Sequence, residues 1–88
     1  MRVVVSEPKK NVYEGHAKEV LLPGQDGEIA VLDFHQPFLH RLVKGCIIIK
    51  ETLHIKGKAK VPVYHAPIAI KRGIAKMLGD ELTIMVET

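Results

Sequence analysis

The chain has no tryptophan, two tyrosines, two phenylalanines and a single cysteine among its 88 residues. Each scarcity excludes something. One cysteine, Cys46, rules out an internal disulfide and agrees with a reducing compartment. Aromatic residues at 5% argue against the stacking platforms that hold single-stranded nucleic acid. They also leave the core to Val, Ile and Leu. No apolar run approaches the ~20 residues that span a bilayer, and Met1-Arg2-Val3-Val4-Val5 lacks the apolar stretch and cleavage site of a signal peptide. The chain therefore reads as soluble and unprocessed. Neither sign of charge dominates: 13 basic residues face 10 acidic ones, for a net charge of +3 and a pI near 9.1. That excess is too mild to name a nucleic acid or an anionic membrane as a partner.

What is present points to strands. Hydrophobic residues make up 47% of the chain, and β-branched side chains suit a pleated sheet. Val3 and Val5 alternate with Arg2, Val4 and Ser6; Leu53 and Ile55 with His54 and Lys56; Leu82, Ile84 and Val86 with Thr83, Met85 and Glu87. Period two is the signature of half-buried strands. Turn signals separate them at Glu7 to Asn11, Pro23-Gly24, Asp26-Gly27, Lys56-Gly57 and Gly79-Asp80, the last reading as a tight hairpin. The one helical candidate, Phe38 to Val43, is too short to stand alone, so a strand or single turn is expected. Pro62 and Pro67 each lack a ladder donor, which puts Val61 to Ile70 at a sheet edge or partly in a loop.

The spacing predicts an all-β fold: one domain, residues 1–88, forming a small flattened β-sandwich or barrel of about eight to ten short strands. A domain of this size buries only about 60–65% of the surface its unfolded chain exposes, so a partner surface would add stability.

Residues able to carry chemistry are present without the company chemistry needs. His16, His35, His40, His54 and His65 form no His-x-x-x-His pair on a predicted helix and stand near no carboxylate in a ligand spacing, so no metal or other cofactor is called for. His16 falls on a solvated Glu14-His16-Lys18 face. Cys46 opens the apolar run Cys46-Ile47-Ile48-Ile49 and is expected to be a buried, unreactive thiol with a raised pKa. Ser6 reads as a turn residue at a strand end. Lys56, Lys58 and Lys60, with Lys71-Arg72 and Lys76 elsewhere, read as a solvated edge that discourages strand-to-strand aggregation.

The stretch Val20 to Pro37, VLLPGQDGEIAVLDFHQP, is placed for shape: Pro23-Gly24 sets a turn, Gly27 permits a second reversal, and Ile29, Val31 and Leu32 resume a strand. It resembles the signature V-L-P-G-x-x-G-E-x-G-V-L-P-G-H-A-P of the epsilon subunit of rotary F-type ATP synthases, matching at Leu22-Pro23-Gly24, Gly27-Glu28, Val31-Leu32, His35 and Pro37. Ser6 and Val12-Tyr13-Glu14-Gly15 are similar to that family's S-x-E-x-x-V-Y-E-G opening. Leu39 to Ile49 follows its L-L-x-x-L-x-x-G run, with Gly45 in place. The chain departs from the pattern at Asp33-Phe34, where Pro-Gly is usual and a differently shaped loop is expected. It departs again at Lys71-Arg72-Gly73, where Ser-Gly-Gly is usual, and in a longer, proline-bearing segment from Glu51 to Pro67.

The resemblance implies a non-catalytic central-stalk subunit that links the gamma subunit to the membrane c-ring and couples ion translocation to ATP synthesis. It would sit peripherally at the cytoplasmic face of an energy-transducing membrane, a bacterial plasma membrane by preference, and would bind no nucleic acid. The resemblance puts the ring contact at Gln25, Asp26 and Glu28 and the gamma contact at Ser6, His35 and Phe38. Gly15, Pro23, Gly24 and Gly27 are the structural turn residues. Most family members continue into a regulatory carboxy-terminal helical hairpin, which is not expected here because the sequence stops at Thr88. The alternatives from other classes are a basic oligonucleotide-binding β-barrel and, further off, a small histidine-dependent enzyme.

Overall fold

The computed structural model describes residues 1–54 and 60–88, with residues 53, 54, 60 and 61 described by backbone alone. The described residues form ten strands and no helix: β1 (Arg2–Glu7), β2 (Lys10–His16), β3 (Glu19–Gly24), β4 (Gly27–Leu32), β5 (Phe38–Leu42), β6 (Gly45–His54), β7 (Lys60–Tyr64), β8 (Ile68–Ile70), β9 (Arg72–Leu78) and β10 (Glu81–Glu87). The all-β expectation holds, at the upper end of its strand count. The segment Phe38 to Val43, too short for a helix, gives the strand β5 over Phe38–Leu42.

The strands join edge to edge in the order β2-β1-β10-β9-β5-β3-β6-β7, with β4 added to β3 and β8 added to β6. Every pairing is antiparallel except that of β1 with β10, which runs parallel from Arg2↔Glu81 to Ser6↔Met85. The sheet curls at β3. This strand pairs with β4 along its length, with β6 at its start (Glu19↔Lys50 to Leu21↔Ile48) and with β5 only at Gly24↔Leu42. The two halves of the curl face each other as a sandwich.

Side-chain parity decides what lies between them. Val3 and Val5 of β1, Leu82, Ile84 and Val86 of β10, and Ala75 and Met77 of β9 point inward and are buried. From the other half come Val20 and Leu22 of β3, Val31 of β4, Ile47 and Ile49 of β6, and Ile70 of β8. They form one continuous cluster, and no charged or polar residue is buried among the described residues. Burying each of the Val, Leu, Ile and Met side chains contributes roughly 1.5–3 kcal/mol. The hairpin at Gly79-Asp80 is as expected, with Gly79 at φ 62° in the left-handed region that glycine enters freely.

Several local expectations are corrected. Pro23 and Gly24 are not a turn; they are the last residues of β3, pairing with Glu28 and Gly27, and the chain reverses once, at Gln25-Asp26. Gly27, at φ 126°, is the residue whose backbone needs glycine there. Gly15 is likewise inside β2, opposite Val3. Cys46 is exposed, because parity in β6 sends Ile47 and Ile49 inward and Cys46 outward. An apolar run thus misled where alternation would not have. The Asp33-Phe34 loop still contains a left-handed residue, Phe34 at φ 62°, in the place where the family pattern has glycine. Pro62 lies in β7, last in the strand order, as its missing donor requires. Lys56, Gly57 and Lys58 lie outside the described residues, as does the side chain of Lys60.

Candidate functional site

The register divides the sandwich into two ends. At one end lie the start of β1, the β2–β3 connection, the segment after β4 and the β9–β10 turn. At the other lie the end of β1, the β3–β4 turn, the end of β5, the start of β9 and the end of β10.

The first end is closed by charge. The Met1 amino group donates to Ala17 O at 3.0 Å and pairs with the Asp33 carboxylate, with Asp80 Oδ2 3.9 Å away. Lys18 Nζ reaches Asp33 Oδ2 at 3.3 Å. Burial by itself pushes the Asp33 carboxyl up, but hydrogen bonds and charge from the Met1 ammonium and Lys18 outweigh it and hold Asp33 below the usual carboxylate range. Just beyond, His35 Nδ1 donates to Gln36 O at 2.8 Å, and the His35 ring meets Phe38 edge to face at 5.1 Å. Phe38 in turn packs against the core and lies 4.9 Å from the His40 ring. Leu39, next along β5, points outward and is 70% exposed.

The second end presents the turn. Gln25, Asp26, Gly27 and Glu28 are all exposed, and the turn is braced by Gln25 N donating to Arg41 O at 3.1 Å and Val43 N to Pro23 O at 2.8 Å. Close backbone packing fixes it further. A β-carbon at Gly24 would lie 2.7 Å from Gly27 O and 2.5 Å from Ile29 Cδ1, so only glycine fits. Ser6 is also at this end, in a cross-strand row with Met85, Ile74 and Arg41.

The structure thus brings Gln25, Asp26 and Glu28 together on one turn and His35 and Phe38 together in one patch. Ser6 is apart from that patch, since Phe38 pairs with Met77, three positions along β9 from Ile74. A third cluster escaped the sequence reading. Glu51 Oε2 lies 2.5 Å from His65 Nε2, and the His65 ring meets Tyr13 edge to face at 5.1 Å. Burial, and then the Glu51 charge, push the Tyr13 hydroxyl above its ordinary pKa. Tyr13 of β2, Glu51 of β6 and His65 just after β7 share no motif, so only the fold reveals them. No group of three His, Cys, Asp or Glu side chains able to hold a metal occurs among the described residues.

The chain belongs to the ATP synthase delta/epsilon family, since the model of that family's β-sandwich domain matches residues 1–88. It is 38% identical over 88 residues to the ATP synthase epsilon chain of Janthinobacterium sp. (strain Marseille) and 33% identical over 88 residues to that of Desulfosudis oleivorans. Both alignments cover all of this chain but 57% and 59% of those proteins. The chain therefore spans little more than half the length of the curated relatives it matches. Among solved structures, the fold is similar to a chain in the central stalk and c-ring of the Tetrahymena thermophila mitochondrial ATP synthase, with a TM-score of 0.73 at 14% identity, covering 99% of this chain and 63% of that one.

Proposed function

We propose that the chain is a non-catalytic subunit of the central stalk of a rotary ATP synthase, with residues 1–88 working as one β domain between the gamma subunit and the c-ring. In this role it transmits rotation driven by ion flow, and it is held peripherally at the cytoplasmic face of a bacterial plasma membrane through its partners. The observation that carries the reading is the Gln25 to Glu28 turn: four exposed residues on a support braced by two backbone hydrogen bonds. A part that passes torque needs such a rigid, outward contact and no mobile active site.

The division of surfaces follows the two ends. Gln25, Asp26 and Glu28 meet the polar loops of the ring. The His35–Phe38 patch, with exposed Leu39 beside it, meets gamma; Ser6, the third residue the resemblance assigns to gamma, lies at the ring end and stands outside this patch. Each interface needs roughly 800 Å² per partner to be stable.

Pull-down with gamma and with assembled c-ring tests the assignment. Glu28→Lys is expected to weaken ring binding at least tenfold, to leave gamma binding intact, and to move fold stability by less than ~0.5 kcal/mol, as an exposed substitution does. His35→Ala is expected to do the reverse. Equal loss of both partners in either variant, or loss of neither, would overturn the division.

A further inference from the structure

The end of the sandwich that carries the Gln25 to Glu28 turn also carries a groove of about 1160 Å³ that the contacts above do not use. Its apolar lining comes from Leu42, Ile74, Met85 and Val86. Ile74 and Met85 sit in the cross-strand row Ser6-Met85-Ile74-Arg41, so the row crosses β1, β10, β9 and β5, a span of roughly 15 Å at the usual strand spacing. Ile74 is 42% and Met85 54% exposed.

The rim is positive. Arg41, Lys44, Lys71 and Arg72 line the groove against two carboxylates, Glu7 and Glu87. Both carboxylates are engaged: Glu87 Oε2 lies 3.1 Å from Arg72 Nε, and Glu7 Oε2 lies 3.7 Å from Lys10 Nζ while Glu7 also accepts from the Thr88 hydroxyl. Arg41, Lys44 and Lys71 have no carboxylate partner among the described residues, and all three are exposed. The groove thus presents three cations without a carboxylate partner among the described residues, beside an apolar floor.

Two features of ligand chemistry follow. The cations call for an anion with several oxygens, and the adjoining exposed Ile74 and Met85 call for a hydrocarbon attached to it. A free phosphate would use the rim and leave the floor wet, whereas an anionic phospholipid uses both. The groove is tied to the turn assigned to the membrane ring by the Gln25–Arg41 and Val43–Pro23 hydrogen bonds, so this inference rests on that reading for its orientation toward a membrane. Lys71-Arg72 stand where the resembled family pattern has Ser-Gly. We propose that this groove binds the headgroup of an anionic phospholipid, with the start of an acyl chain against Ile74 and Met85. Attraction of this kind is lost within a Debye length and so weakens with salt.

Co-sedimentation of the 88-residue chain with vesicles tests it. Binding to phosphatidylglycerol vesicles is expected at low salt, with little to phosphatidylcholine vesicles. Arg41→Gln, Lys44→Gln and Lys71→Gln should each lower the partition coefficient about fivefold. Lys18→Gln, with the same change in net charge at the opposite end, should leave it unchanged, and circular dichroism should find all four variants folded. Ile74→Asp should also weaken binding. Equal affinity for both vesicle types would overturn the proposal, as would equal loss with Lys18→Gln. Insensitivity to Ile74→Asp together with displacement by millimolar inorganic phosphate would reassign the rim to a free anion and end the lipid reading. The assay contains no ring subunit. Failure here with Glu28→Lys still releasing the ring would sink this inference alone, and the converse would sink the ring contact alone.

Discussion

The two ends of the sandwich solve the same problem with opposite means. Around Met1, Asp33 and Lys18 the charges are spent on one another, locking strand ends that are far apart in sequence. Around Gly24 and Gly27 the chain is locked by close backbone approach, and the neighbouring cations Arg41, Lys44 and Lys71 remain without acidic partners among the described residues. The lesson is that steric fixing leaves charge available for partners, whereas electrostatic fixing consumes it. An end that must hold its shape while presenting charge outward has reason to be built with glycine.

The comparison breaks most sharply at Gly24. Gly24→Val drives a branched side chain into Gly27 O and Ile29, and the expected loss is about 3 kcal/mol, the upper range for overpacking. Gly15→Val is expected to cost less, because the nearest obstacle is the Tyr13 hydroxyl at 2.8 Å, the far end of a side chain that can swing away. Urea melts that rank the two equally would show that side-chain crowding, and not backbone, holds the turn end.

At the charged end, Asp33→Asn leaves the buried Met1 ammonium with Ala17 O and a distant Asp80, and a cost of about 1–2 kcal/mol is expected. The pH dependence has a definite sign. Asp33 titrates below its unfolded value, so its contribution is complete above an unfolded pKa of about 3.9 and disappears as pH falls through the lower folded value. The stability gap between native chain and Asp33→Asn should therefore be widest near neutral pH and close in acid. A gap that widens in acid would contradict the assignment.

The smallest effect sharpens the contrast. Phe34 occupies the left-handed region while 85% exposed, so its ring gives little back for the strain. Phe34→Gly is expected to stabilise the fold by about 0.5–1 kcal/mol, the strain relief being partly offset by the freer unfolded chain. A melt showing destabilisation would mean that the Phe34 ring holds the loop.

Much of this architecture was legible in residue order. The parity of Val3, Val5, Leu82, Ile84 and Val86 placed the core faces, and Gly79-Asp80 placed a hairpin. The V-L-L-P-G stretch led to the family but misplaced the reversal by two residues. Proline and glycine look alike as turn signals whether they make the turn or brace the strand beside it. Cys46 was misread because hydrophobicity was weighed before alternation. What could not be read were meetings of distant residues: Asp33 with the amino terminus, Glu51 with His65 and Tyr13, and the groove assembled from four strands. No local pattern records which residues the curl of the sheet brings face to face.

The parallel pairing of β1 with β10 has a consequence in time. These strands come from opposite ends of the sequence yet lie side by side, and β1 has only β2 on its other flank. While the chain is being made, residues 2–16 can offer no more than an isolated hairpin, which is marginal in water. The five-strand half of the sheet cannot close until Glu81 to Glu87 has emerged. Such long-range closure slows folding, and β1 lacks its parallel neighbour on the nascent chain until β10 arrives.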